Sequence, residues 1–170
     1  MLIHSLTRLK DPTSIPIEVK EIKTYLKIDH DLEDKLIEDM IKAAVNTFED
    51  VTATALMPQS WRVLYKNLDS SIIELPIRPV MEISNISTVT ANGIKDITNY
   101  EIINDSLVLR SLYDADFISI DFTAGINSKN FIPANIKFAL MEHIAFLYEN
   151  RGEQRSFDRN KYAEFRAIKY

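Results

Sequence analysis

The sequence predicts one α+β domain of 170 residues, in which a small antiparallel sheet is inserted between helices. Apolar residues recur at helical spacing over 15–57, alternate with polar residues over 59–125, and return to helical spacing over 133–151. Because strand patterns follow one another directly in the middle segment, we expect antiparallel pairing in a small sheet or partial barrel of about five to seven strands.

Two helices are predicted before the sheet. The first covers 18–28 and begins at Glu18, where Ser, Thr or Asp would be the preferred cap. The second is predicted to be capped by Asp31 and to extend to about Ala55, because Pro58 prevents it from continuing far. Its apolar stripe is the strongest helical signal in the chain and includes Leu36, Ile37, Met40, Ile41, Ala44, Val45 and Phe48.

Turn signals divide the strand region. Asn92-Gly93 predicts a hairpin with a type I′ turn, in which both central residues need positive φ. A second turn is predicted at Asn104-Asp105, and the strand pattern ends at Gly125. Trp61, the only tryptophan, is predicted to be a packing residue, whereas the first ten residues show no clear period and are expected to be loosely held.

Pro133 is predicted to open the last long helix, which ends before Gly152. This helix is apolar on nearly all sides and must therefore be covered on nearly all sides. We expect its first face to enter the core and its second face to form a subunit interface. The residues of the second face are Phe138, Met141, Ala145 and Phe146.

Charge is distributed unevenly. The net charge of the chain is −5. Residues 1–57 are acidic, with 7 Lys and Arg against 11 Asp and Glu, whereas residues 132–170 are basic, with 7 Lys and Arg against 5 Asp and Glu. A protein that grips DNA needs a basic stripe on its folded body. The acidic body therefore argues against a nucleic-acid-binding packaging protein, which we keep as an alternative function.

Residues that could carry catalysis or bind a metal are sparse. The chain has no cysteine and only three glycines, so it lacks thiolate nucleophiles, Cys-type zinc sites and a phosphate-cradling loop. His143 has no second histidine four residues away and is predicted to be a core or interface residue. We expect no enzymatic activity, no cofactor and no metal; a metal-dependent hydrolase acting through His143 is the weaker alternative.

The sequence also indicates where the protein is found. The N-terminal residues lack the pattern of a signal peptide, and no apolar run approaches the roughly 18 residues of a membrane span. We therefore expect synthesis in the cytosol and no membrane partner.

Several short strings, in this order, resemble the phage head-tail connector (adaptor) family over about residues 15–152. They are Val19 to Asp29 followed by an Asp-rich restart, Gln59-Ser60-Trp61-Arg62, Ile73-Glu74-Leu75-Pro76, Phe122-Thr123-Ala124-Gly125, and Pro133 through Gly152. The resemblance implies a helical adaptor core, made of two N-terminal helices and one long C-terminal helix, with a β insertion.

The resemblance also implies partners and a location. Such adaptors assemble as rings, generally of twelve subunits, beneath the portal in the neck of the virion. The ring extends the DNA channel, through which DNA passes without sequence-specific binding, and carries the stopper or tail-completion protein. Assembly would take place in the cytoplasm of the host bacterium, for a phage, a prophage or a gene transfer agent.

The resemblance assigns the C-terminal segment, 153–170, to docking on the portal. We expect partner docking to be favoured over packing on the same chain, because charges separate the aromatic residues of this segment. Phe165-Arg166 is similar to an aromatic-arginine element of the family. The predicted docking residues are Arg155, Phe157, Arg159, Tyr162, Phe165, Arg166 and Tyr170.

Overall fold

The protein forms two compact units. The computed structural model describes residues 2–66, 70–103, 106–111, 113–153 and 155–167. The β unit comprises Met1–Thr13 and Pro58–Gly125, and the helical unit comprises Ser14–Met57 and Ile126–Tyr170. The segment predicted as a β insertion thus belongs to a unit that also contains the N-terminal residues.

All three predicted α-helices are present in the helical unit. They are α1 (Val19–Leu26), α2 (Asp34–Thr52) and α3 (Ala134–Glu149). Two 3-10 helices, Lys129–Phe131 and Arg159–Ala167, precede and follow α3. The core between α2 and α3 is formed by apolar side chains with almost no exposure, each stabilising the fold by about 1.5 to 3 kcal/mol. They include Ile37, Ile41, Phe48, Ile136, Leu140 and Ile144.

The start of α2 differs from the prediction. The residue before its first turn is Glu33, not Asp31. Asp31 lies in the preceding turn, where its carboxylate pairs with the Lys23 ammonium, and Lys23 also donates a hydrogen bond of 2.8 Å to Asp34. Asp31 therefore connects α1 to the turn instead of capping α2, because the helix begins two residues later than the sequence pattern indicates.

The β unit contains eight strands in its described part, and seven of them lie within residues 59–125, in agreement with the predicted five to seven. These are β1 (Leu2–Lys10), β2 (Gln59–Lys66), β3 (Ile72–Glu74), β4 (Val80–Thr90), β5 (Gly93–Asp96), β6 (Tyr100–Ile103), β7 (Ser106–Leu109) and β8 (Phe117–Ala124). They form a five-stranded sheet, β1-β2-β8-β4-β5, and a three-stranded sheet, β3-β7-β6. All pairs are antiparallel, as predicted, but both sheets are open, so a single partial barrel is not observed.

The expectation of a loosely held N-terminus is wrong. Residues 2–10 form β1, which pairs with β2 from Leu2 opposite Lys66 to Lys10 opposite Ser60. Two register shifts interrupt this pairing, which is why β1 shows no clean alternation. The backbone of β1 pairs with residues 50 to 64 positions further along the chain, and a local sequence pattern does not reveal such a partner.

The first predicted hairpin is present with a different turn. Thr90 pairs with Gly93, so the two loop residues are Ala91 and Asn92. Positive φ occurs at Gly93, at 129°, and not at the loop residues, so the type I′ assignment is wrong. The second hairpin joins β6 to β7, and its predicted turn at Asn104-Asp105 lies outside the described residues.

The two faces of β2 have different environments. Val63 and Tyr65 are buried, and Trp61 is half-buried beneath the Arg8 guanidinium, which lies 4.7 Å from its ring centroid. On the opposite face Arg62 donates two hydrogen bonds, of 2.6 and 2.7 Å, to Asp121 of β8, its register partner. This bidentate pair fixes the register of β2 against β8.

Candidate interaction surface

Helix α3 has a buried face and a partly exposed apolar face. Ile136, Leu140, His143 and Ile144 are buried, as the spacing predicts. The predicted interface residues lie elsewhere on the helix: the Phe138 side chain is 61% exposed, and Met141, Ala145 and Phe146 are half-buried. The exposed aromatic ring of Phe138 is the clearest apolar surface on this helix that the described residues of the helical unit leave uncovered.

The C-terminal 3-10 helix, Arg159–Ala167, packs on α2 through two aromatic residues. The Tyr162 and Phe165 rings lie 5.0 and 5.6 Å from the ring of Phe48, and the Tyr162 contact is edge-on. Tyr162 has no exposed surface and Phe165 is 5% exposed. These two rings therefore belong to the core of the helical unit.

His143 connects α3 to the same segment. Its imidazole stacks on the Phe157 ring, with centroids 3.8 Å apart and planes 13° apart, and its Nδ1 forms a hydrogen bond of 2.9 Å with the Tyr162 hydroxyl. Burial, together with the nearby charge of Arg159, lowers the pKa of His143 to about 4. The imidazole is therefore neutral at pH 7, and burial also raises the pKa of Tyr162.

Polar contacts flank the packing of the C-terminal segment on α2 and α3. Arg166 Nε donates a hydrogen bond of 2.7 Å to the Val51 carbonyl, near the end of α2. The Lys161 ammonium lies 3.7 Å from a Glu142 carboxylate oxygen of α3 and 5.5 Å from the Phe157 ring centroid. We call the six rings that hold the C-terminal segment on the helices the aromatic cluster. They belong to Phe48, His143, Phe146, Phe157, Tyr162 and Phe165.

The structure divides the predicted docking residues into three groups. Tyr162 and Phe165 pack on their own chain, contrary to the expected preference for a partner, because the apolar faces of α2 and α3 offer them a closer surface. Phe157 is half-buried, and the arginines Arg155, Arg159 and Arg166 are exposed. Tyr170 lies outside the described residues. Sequence reasoning assigned Phe48 to the α2 stripe and missed its contact with this segment.

A groove with acidic walls runs between α3 and the C-terminal segment. Its floor includes Ala145 and Phe146, two of the predicted interface residues, and Phe157. Glu142, Glu149 and Asp158 line it, and Lys161 is the one cation among its described lining residues. The groove combines apolar surface with net negative charge, which suits a basic partner segment.

A smaller cluster fixes the end of α3 to the start of α2. The Tyr148 hydroxyl donates a hydrogen bond of 2.5 Å to Glu33, and Arg151 pairs with the same carboxylate while lying 4.0 Å from the Tyr148 ring centroid. These hydrogen bonds, from Tyr148 first and Arg151 second, lower the pKa of Glu33. Glu33 is thus used in an ion pair, as are Asp31 and Asp34 with Lys23.

Among the described residues, no group of three or more His, Cys, Asp or Glu side chains could hold a metal ion. His30 and His4 are exposed, and the His4 ring lies 4.8 Å from that of Phe117. None of the described helices is both long and apolar enough to cross a membrane.

The sequence matches the model of the phage gp6-like head-tail connector protein family over residues 16–168. The chain belongs to this family. The match includes all three helices, the strands β2 to β8 and the aromatic cluster. It confirms the resemblance to head-tail connectors, and it makes the chain a structural protein of phage-type particles, not an enzyme.

Solved structures from gene transfer agent (GTA) particles share this connector fold. One comes from the neck of an empty GTA particle computed with C6 symmetry, with a TM-score of 0.80, 21% identity, and coverage of 98% of this chain and 97% of that chain. A second comes from the virion of a native GTA particle, with a TM-score of 0.74, 21% identity and coverage of 97% and 96%. A third comes from the neck of a native GTA particle computed with C12 symmetry, with a TM-score of 0.74, 21% identity and coverage of 93% and 94%.

A comparison of the sequence with curated proteins finds no match. At 21% identity the solved structures establish the fold of this connector along nearly its whole length. The α+β class predicted from the sequence is confirmed by this similarity.

Proposed function

We propose that this connector assembles as a ring, of twelve copies in the particle, beneath the portal in the neck. The ring would extend the DNA channel and provide the platform for a stopper or tail-completion protein. The family match over residues 16–168 carries this proposal, and the likeness to neck chains in particles with C6 and C12 symmetry supports a ring. Assembly would take place in the cytoplasm of the host bacterium.

The exposed part of α3 supplies the surface that a neighbouring copy would cover. Phe138, Met141, Ala145 and Phe146 present apolar area that the helical unit itself leaves partly open. An aromatic ring with more than half of its surface in water is typical of an interface anchor. We propose that these four residues contribute to the contact between subunits.

The charge of the chain suits a channel through which DNA moves. With a net charge of −5 and a sequence pI near 5.2, the protein would repel the phosphate backbone. DNA would therefore pass without adhering and without sequence-specific binding.

Electron microscopy of the purified connector mixed with its portal tests the ring. We expect portal particles to gain an additional ring of density at one end, because the connector assembles on the portal. The portal alone is the control. Connector that stays monomeric and leaves the portal unchanged would contradict the proposal, and salt-dependent DNA binding by that monomer would favour the packaging-protein alternative.

We propose that the exposed arginines of the C-terminal segment contact the portal, while Tyr162 and Phe165 hold that segment on its own chain. Reversing two charges, in the double variant Arg155→Glu and Arg159→Glu, should weaken portal binding at least tenfold at low salt, measured by interferometry. The matched control is Lys20→Glu on α1, an exposed cation outside the segment, which should bind as the wild type does. Equal binding by all three proteins would exclude this contact.

A further inference from the structure

The five-stranded sheet has two different open edges. One edge is the whole of β1, because β2 covers only one side of that strand. The other edge is formed by β5 and by the part of β4 that β5 leaves unpaired. Because β5 pairs with Ser87–Thr90, the stretch Val80–Asn85, which shifts register twice against β8, has β8 on one side and no described strand on the other. Each edge presents backbone donors and acceptors that a further strand could satisfy.

Strand β1 is unusual for an edge left in water. None of its nine residues is buried, and four of the exposed ones are large and apolar. Leu2 is 66% exposed and Leu9 is 48% exposed; Ile3 and Leu6 are the other two. Natural edge strands are often short, charged, bulged or interrupted by proline. Strand β1 has two register shifts and the cations Arg8 and Lys10, but it is nine residues long, carries no proline and still exposes these four apolar side chains. A strand with these properties is expected to be covered in the assembled state.

Strand directions make the two edges compatible. Because β1, β2, β8 and β4 are successive antiparallel neighbours, β1 runs opposite to β4, as β5 does. In a ring, every copy is related to the next by the same rotation, which preserves strand direction relative to the axis. The β1 of one copy would thus meet the β4 of the next in antiparallel orientation, the more stable of the two pairings.

The side chains of the two strand edges are complementary in charge. Strand β1 carries Arg8 and Lys10 and no acidic residue, whereas Val80–Asn85 carries Glu82 and no cation. Met81, next to Glu82, is an exposed apolar residue on the open part of β4. A contact between two different surfaces of the same chain is heterologous, and repeated heterologous contacts close into rings.

We infer that adjacent copies of this connector join their sheets, with β1 of one copy adding to the open stretch Val80–Asn85 of the next. The inference rests on the proposed ring and specifies one of its contacts. The occupant of each edge is a second copy of the same chain. Main-chain hydrogen bonds would supply the contact, and the exposed apolar side chains of β1 would lose their contact with water.

Engineered disulfides test this contact directly, because the natural chain has no cysteine. Leu6→Cys is combined in turn with Met81→Cys, Glu82→Cys and Ser84→Cys, and the portal-bound protein is oxidised. Three strand spacings, about 14 Å, separate β1 from β4 within one copy, too far for a disulfide, so any bond joins two copies. We expect at least one double variant to give a ladder of covalent oligomers on non-reducing gels, and the single variants to stop at dimers.

A charge variant provides an independent measurement. Leu6→Lys with Leu9→Lys should raise the concentration for half-maximal ring assembly by about tenfold, without lowering the melting temperature of the monomer. The matched control is Leu32→Lys, at an exposed leucine outside the sheet, which should leave assembly unchanged. Rings that form normally in the edge variant, and that give no ladder with any cysteine pair, would overturn this inference while leaving the proposed function intact. Wild-type protein that forms no ring with the portal would overturn the proposed function itself.

Discussion

Replacing Tyr162 by Ala is expected to destabilise the helical unit by about 3 to 5 kcal/mol, the cost of removing a large buried aromatic ring. The Tyr162 ring has no exposed surface and packs edge-on against Phe48. The substitution also leaves Nδ1 of buried His143 without its hydroxyl partner, which adds to the cost. The whole aromatic cluster should loosen, because Phe157 and Phe165 reach the helices through the same segment.

Urea unfolding followed by circular dichroism at 222 nm measures this effect. Tyr162→Phe keeps the ring and removes only the hydroxyl, so it should cost about 1 kcal/mol. Phe131→Ala, at an aromatic residue of the helical unit whose side chain is 73% exposed, is the matched control and should change stability by less than about 0.5 kcal/mol. A loss below about 1 kcal/mol for Tyr162→Ala would show that the segment does not pack on its own chain in solution.

The stability of the helical unit should fall as the pH decreases from about 6.5 to about 4. Burial holds the pKa of His143 near 4, below its ordinary value of 6.5, so the unfolded chain binds more protons within that range. The stabilisation is fully present above pH 6.5 and is lost as the pH falls through the folded pKa. A shift from 6.5 to about 4 corresponds to at most about 3 kcal/mol.

The variant His143→Phe isolates this contribution. A phenyl ring can stack on Phe157 but cannot bind a proton, so the variant should be less stable at pH 7 and should lose less stability on acidification. For each protein, the change in unfolding free energy between pH 7 and pH 4.5 is measured. The exposed carboxylates are the same in both proteins, so the difference between the two changes reports the contribution of His143. Identical pH profiles would contradict the assignment of this dependence to His143.

The helices could be predicted because their patterns are local. The stripe of α2 and the buried face of α3 lie where the apolar spacing places them. The start of α2 was misplaced, since Asp31, a favourable cap residue by type, forms an ion pair with Lys23 instead. A competing tertiary contact decided the boundary, and no local pattern contains that contact.

Long-range pairing explains the larger errors in the β unit. Strand β1 depends on the open edge of β2, and its two register shifts remove the alternation that would have identified it. Most predicted strands between residues 59 and 125 are present, because their alternation and turns are encoded locally. The division into two sheets is a property of pairing partners, which strand patterns do not specify.

The candidate surface was predicted in part. The spacing of Phe138, Met141, Ala145 and Phe146 separates them correctly from the buried face of α3, and their role between subunits stays a prediction. The C-terminal aromatics were assigned to a partner because charged neighbours surround them in sequence. In the structure, Tyr162 and Phe165 both point into the helical core. They are three residues apart, and this helical spacing is the sequence signal that could have indicated their shared burial.

The ring is the central claim, and native mass spectrometry of the connector bound to its portal tests it most directly. We predict one discrete complex in which a fixed number of connector copies, twelve for a twelve-fold portal, is bound to each portal ring. Substoichiometric or continuously variable loading, or portal that binds no connector, would contradict the account.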